Sequence, residues 1–233
     1  MMKFKIHLII VWLGMLFIIS CNQKKSVEII NPGYDFYPLA KGHFVVYDVQ
    51  NIVHNVVGTI DTFNYQIKEV IGDTNSAKGD APFGYKLLRY KRPNSTVAWT
   101  LDSVWRVWLN SNVLVVNENG EEYIKLSFPL KNAIKWNGNT YNNKDADTYE
   151  IRMLGNKSYI NNAFYDNSVR VIQHDSLPIN VVNRDYRTEY YAKNVGLIYK
   201  EWQIYTYDQA SLGQFKIETG SHYIQQISSY GKE

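Results

Sequence analysis

The chain has one cysteine in 233 residues, Cys21, so no internal disulfide can staple the fold. Stability must come from core burial and strand pairing. Leucine and alanine are sparse, and no segment of about twelve residues or more carries a convincing helical period. Formal charge is only +3, and loss of Lys3 and Lys5 with a cleaved leader brings it to about +1. No basic stripe remains, which argues against nucleic acid as a partner. There is no G-x-S-x-G elbow, no glycine-rich phosphate loop and no closely spaced histidine pair of the H-E-x-x-H kind. The sequence therefore points to no catalytic residue, no cofactor and no metal.

Aromatic residues are what the chain has in excess: 19 Tyr, 9 Phe and 6 Trp, or 15% of it. With Val, Ile, Thr and Asn also frequent, this is strand and turn composition. The start of the chain differs. Residues 1–20 have a positive n-region at Lys3 and Lys5 and an apolar run from Ile6 to Ile19, interrupted only by His7 and Gly14. Such a run is about 14 residues, too short for the roughly 20 that span a bilayer. It reads as a removable secretory signal.

The segment Ile18-Ile19-Ser20-Cys21 resembles a bacterial lipobox: an aliphatic residue, a tolerant position, a small residue and cysteine. The resemblance implies that the Cys21 thiol carries a diacylglycerol, that cleavage precedes Cys21, and that the new amine is acylated with a fatty acid such as palmitate. Stable anchoring needs more than one inserted chain. The predicted organisation is a signal peptide over 1–20, a tether over 21–33 and a single β domain over 34–233.

Along the domain, strands are predicted at about 44–52, 85–90, 113–116, 123–128, 169–173, 186–192, 196–207 and 215–229. Phe63, Tyr65 and Ile67 alternate with Thr62, Asn64, Gln66 and Lys68, the period of a half-buried antiparallel strand. Residues 72–84 are a polar loop. From Val97 to Leu109 the odd positions stay mostly apolar, a run of roughly 43 Å if fully extended. That length predicts strong curvature or a bulge near Ser103. Asn119-Gly120 marks a tight hairpin, and Tyr149, Ile151 and Met153 mark another strand. Residues 159–167 leave open a short helical turn. The fold expected is all-β: one antiparallel domain with a strongly curved sheet or a partial or closed barrel, and few or no helices.

Candidate chemistry is thin. His43, His54, His174 and His222 are widely spaced. Asp145 and Asp147, beside Asn142 and Asn143, lack the further oxygens, glycine and closing glutamate of an EF-hand. Glu189 and Glu201 form a facing carboxylate pair only if their strands bring them together. Alternation assigns Trp99 and Trp105 to the packed face of their strand. Trp108 points the other way and Trp136 sits in a turn, so these two are the candidates for an exposed binding surface.

The segments Tyr37-Pro38-Leu39-Ala40-Lys41-Gly42, Phe44-Val45-Val46-Tyr47, Leu126-Ser127-Phe128-Pro129-Leu130, Trp136-Asn137-Gly138 and Tyr191-Ala192-Lys193-Asn194-Val195-Gly196-Leu197-Ile198, with a closing tyrosine-rich strand near Tyr223, resemble a group of Bacteroidetes-type lipoproteins of uncharacterised function. The resemblance covers nearly the whole mature chain and implies a curved antiparallel sheet or partial barrel, with no catalytic residues to carry over. Surface-exposed lipoproteins of that group carry an acidic run after the cysteine. Here Asn22-Gln23-Lys24-Lys25 is basic, which favours the periplasmic face of the outer membrane over the cell surface, the alternative address. Asp175-Ser176-Leu177 resembles the group's short O-glycosylation acceptor.

These readings converge on a lipid-anchored envelope protein without an evident catalytic site, attached to the membrane through Cys21. Its expected ligand is a partner protein, an apolar molecule such as an acyl chain, or a glycan stacked on its aromatic residues. The competing readings are an envelope hydrolase or glycan-processing enzyme, marked by a cleft with two close carboxylates, and a structural subunit of an envelope complex.

Overall fold

The computed structural model describes residues 31–75, 83–176 and 180–233. The signal peptide, Cys21, the tether before Asn31, residues 76–82 of the polar loop and Leu177 of the glycosylation triplet lie outside them. Within Asn31–Glu233, one compact unit, the described residues form twelve strands. These are β1 His43–His54, β2 Ile60–Asn75, β3 Gly84–Arg92 and β4 Thr100–Asn110. Next come β5 Val113–Glu118, β6 Glu121–Ser127, β7 Lys135–Asn137 and β8 Thr148–Ile160. The last four are β9 Ala163–Asp175, β10 Asn183–Ala192, β11 Gly196–Tyr207 and β12 Ile217–Lys232. Besides these, only two single-turn 3-10 segments occur among the described residues, Tyr34–Phe36 and Gln209–Ser211.

All twelve strands join one antiparallel sheet in the order β6-β5-β4-β3-β2-β1-β12-β11-β10-β9-β8-β7. The expected all-β curved sheet is thus what the chain builds, as a nearly closed barrel. Topologically it is two six-stranded meanders joined through β1 and β12, from His43↔Lys232 to His54↔Gly220. Curvature comes from bulges. In β4 the pairing skips Asp102, with Arg89 opposite Ser103 and Tyr90 opposite Leu101, at the predicted place. The seam between β6 and β7 is closed by the turn after β7. Gly138 carbonyl accepts from Ile124 N at 2.9 Å, and Glu122 carbonyl accepts from Asn142 Nδ2 at 2.8 Å.

Two hairpins show how local chemistry sets register. Asn119 and Gly120 adopt φ of 53° and 93° between Glu118 and Glu121, as the Asn-Gly pair predicts. Residues 159–167 contain no helix. Asn161 and Asn162 take φ of 46° and 63°, so Ile160 pairs with Ala163 across a second tight turn. Asparagine tolerates left-handed backbone, and two in succession do the work of Asn-Gly. The long strand predicted from Val97 begins only at Thr100. Trp99 precedes it and lies under the Arg92 guanidinium, 4.0 Å from the ring centroid.

The two ends of the barrel differ. At one end the N-terminal turn enters. Phe36 is buried among Ile71, Leu87, Val107, Leu126 and Tyr191, with Tyr37 and Leu39 packed beside it. Asp35 carbonyl accepts from Asn194 N at 2.7 Å, and Pro32 carbonyl from Leu130 N at 3.0 Å, which tie this plug in place. The C-terminus finishes here too, with Glu233 N donating to Gly42 carbonyl at 2.9 Å. A neighbouring apolar cluster of Val45, Tyr47, Val49, Ile67, Ile198 and Ile227 thickens the same half. At the other end lie the turns between β1 and β2, β3 and β4, and β5 and β6. No such plug of described residues closes that end.

Candidate functional site

Above the apolar floor the inward stripe of each strand changes character. On β2 it runs Tyr65, Ile67, Glu69; on β3, Leu87, Arg89, Lys91; on β5, Val116 and Glu118; on β11, Lys200 and Trp202. These side chains line a cavity of about 300 Å³. Exposed Lys91, Asp102 and Asn119 stand at its mouth, and Tyr37 reaches it from the plug. Small-molecule sites begin at about this size.

Register brings the charges together. Arg89 lies directly opposite Glu69 on neighbouring strands and donates to its carboxylate at 2.8 Å. Lys200 lies directly opposite Glu189. Lys125 reaches the same place by another device. It is the extra residue of a bulge in β6, between the pairs Leu114↔Leu126 and Val115↔Ile124. A bulge re-aims a side chain, and here Lys125 crosses the lumen to Glu189 at 2.5 Å and to Glu118 at 3.1 Å. Glu189, 0% exposed, also accepts from the Tyr191 hydroxyl at 2.5 Å. Lys200 stands at 3.6 Å from Glu189 and 3.8 Å from Glu118.

Burial alone would raise the Glu118 carboxyl, but Lys125 and Lys200 overcome it and hold the group down at about 2. Burial likewise opposes the charge on Lys125, yet Glu118 and Glu189 keep its ammonium well above the ordinary range. The aromatic wall is built around the cations. The Arg89 guanidinium sits 3.7 Å from the Trp105 ring centroid, and Lys200 Nζ sits 4.0 Å from that of Trp202. Trp105 Nε1 donates to Asn119 Oδ1 at 3.1 Å at the rim.

Several expectations change on this geometry. Trp108 is not an exposed surface; it is 3% exposed and packs with Val115 and Ile124 on the outer face of the sheet. Its direction follows from alternation, but the outer face there is covered by Trp136. That second tryptophan is half-buried in the seam, donating Nε1 to Ile124 carbonyl at 2.9 Å. Trp105 instead lines the lumen. Glu189 and Glu201 do not face one another. Glu189 pairs with Lys200, so Glu201, one residue on, points to the opposite side and binds His222 Nε2 at 2.9 Å. Asp147 is engaged by Arg187 at 2.8 Å and His174 at 3.2 Å, and Asp145 offers its carbonyl to Asn139 at 2.7 Å. His43 pairs with Val195 carbonyl at 2.8 Å, and His54 packs against the Tyr205 ring. No group of three His, Cys, Asp or Glu suited to a metal occurs among the described residues.

The lumen is also not the open apolar face an acyl chain needs, because charged side chains occupy its middle. Glu118 is ionised, and Glu189 already accepts from both Lys125 and Tyr191. Sequence reading missed Glu69, Arg89, Glu118, Lys125 and Lys200. The available signal was a charge standing in phase with an apolar inward stripe.

No family model matches the chain, and no curated protein matches it. Two solved structures resemble it weakly. One is a protein described as a lipoprotein from Parabacteroides distasonis ATCC 8503, with TM-score 0.39 and 10% identity over 83% of this chain and 98% of that one. The other is described as an exported protein with a YmcC-like fold from Bacteroides fragilis NCTC 9343, with TM-score 0.32 and 8% identity over 83% and 99% of the two chains.

Proposed function

We propose that this chain is a lipid-anchored binding protein of the bacterial cell envelope that takes a small polar ligand into the lumen of its barrel. One observation carries the reading: an open-mouthed cavity whose wall combines Trp105, Trp202 and tyrosines with four cations and four carboxylates. Such a wall offers hydrogen-bond donors, acceptors and stacking surface to a hydroxyl-rich molecule of about monosaccharide size. Acylated Cys21 confines the domain near the membrane and raises its effective concentration there. The basic residues Lys24 and Lys25 after the cysteine support the periplasmic face of the outer membrane.

Two experiments test this. Replacing Cys21 by serine is expected to leave full-length precursor that takes up no label from radioactive palmitate; unchanged labelling removes the anchor. Titration of the full-length protein with D-glucose and D-glucuronate is expected to change its tryptophan fluorescence saturably, through Trp105 and Trp202. Native mass spectrometry of protein extracted from its own membranes should show a small bound molecule. A flat titration with both sugars, together with an adduct-free mass, overturns the lumen reading.

A further inference from the structure

The lumen does not end at its mouth. Tyr65, Lys91 and Asp102, which line its upper wall, also line a second, wider hollow at the rim, of about 830 Å³. The two spaces are continuous through these shared residues. Alternation carries the inward stripe of β2 out of the lumen. Phe63 lies two residues beyond Tyr65 on the same face, about 7 Å nearer the rim. Asn51 lies directly opposite Phe63 on β1, and Thr100 and Leu101 of β4 complete the wall. Phe63 is 53% exposed and Leu101 51%. The Asn51 and Thr100 side chains make no hydrogen bond among the described residues. We propose that the ligand is a glycan of at least two linked sugar units, one held in the lumen and the next stacked on Phe63 in the outer hollow. The proposal rests on the lumen being a ligand site, and it names the class and minimum length of what enters.

The chemistry of the outer wall selects this occupant. A pyranose ring has an apolar face of C–H bonds and an edge of hydroxyls. Phe63 offers a flat apolar partner to the face, while Asn51, Thr100 and Asp102 offer donors and acceptors to the edge. An alkyl chain in the same place would cover the Asn51 and Thr100 groups without bonding them, and would lie between the charges of Lys91 and Asp102. Covering polar groups in that way is unfavourable. A monosaccharide fits within the lumen and leaves Phe63 bare. Tyr65, with Lys91 Nζ 4.1 Å from its ring centroid, marks the threshold between the two units.

The test follows tryptophan fluorescence of the full-length protein on titration with D-glucose, maltose, cellobiose and gentiobiose. The three disaccharides repeat the glucose unit and differ in linkage. At least one is expected to bind about fivefold or more tightly than D-glucose, the worth of covering the exposed half of a phenylalanine. Phe63→Thr keeps strand propensity at an exposed position. It should abolish that gain over D-glucose and leave the affinity for D-glucose unchanged. Three disaccharides no tighter than D-glucose overturn the proposal, as does a gain that survives Phe63→Thr. A larger gain for octyl β-D-glucoside below its micellar concentration also overturns it, because the hollow then holds an alkyl chain. If D-glucose or D-glucuronate still changes the fluorescence in those cases, the second unit fails while the lumen reading stands. A flat response to every sugar is instead the failure of the lumen reading, and this inference falls with it.

Discussion

Replacing Glu189 by leucine is expected to destabilise the folded unit by about 3–5 kcal/mol, the cost of leaving a buried charge without its partner. Glu189 is fully buried and compensates two cations, Lys125 at 2.5 Å and Lys200 at 3.6 Å. It also takes the Tyr191 hydroxyl, which would lose its acceptor. Leucine fills much of the same volume, so the loss is electrostatic rather than a cavity. Denaturant titration of the full-length protein should show a lower midpoint with an unchanged slope. Adding Lys125→Met to that variant should recover part of the loss, because removing both partners of a buried pair is far milder than removing one. A single substitution costing less than about 1 kcal/mol would mean that the lumen charges are well solvated.

Acid is expected to weaken the same network. The Glu118 carboxyl titrates at about 2 in the fold against an ordinary 4.5. A depressed carboxyl contributes stability that is complete above its unfolded value and is lost as pH falls through its folded value. The window is therefore pH 4.5 down to about 2, and the contribution is on the order of 3 kcal/mol. Melting temperature followed by circular dichroism across that window should fall more steeply for the natural chain than for Glu118→Gln, which has no proton to take up. Parallel profiles would show that Lys125 and Lys200 do not hold Glu118 ionised.

Much of the scaffold was legible because alternation is a local property. Tyr65 and Ile67 could be placed on the inner face from their spacing alone, and the odd-numbered stripe through Trp105 pointed to a bulge where Asp102 is skipped. Asn119-Gly120 stated its own turn. The tryptophans were harder. Parity told that Trp108 faces outward, but not that Trp136 arrives on the short strand β7 to cover it. The lumen was harder still. A glutamate or lysine in a strand is ordinarily assigned to the solvent face, and only register puts Lys200 against Glu189 and Arg89 against Glu69. Lys125 needs more again, since its direction depends on a bulge that no nearby glycine or proline announces. The contact between Lys125 and Glu189, 64 positions apart, is decided by the whole barrel, not by any window along the chain.

The plug has one last consequence. Asn31 and Glu233 both belong to the stoppered end, so the folded unit behaves as a cup whose two handles sit under its base. A ligand entering the lumen at the rim would therefore meet neither Asn31 nor Glu233, both of which lie at the opposite pole.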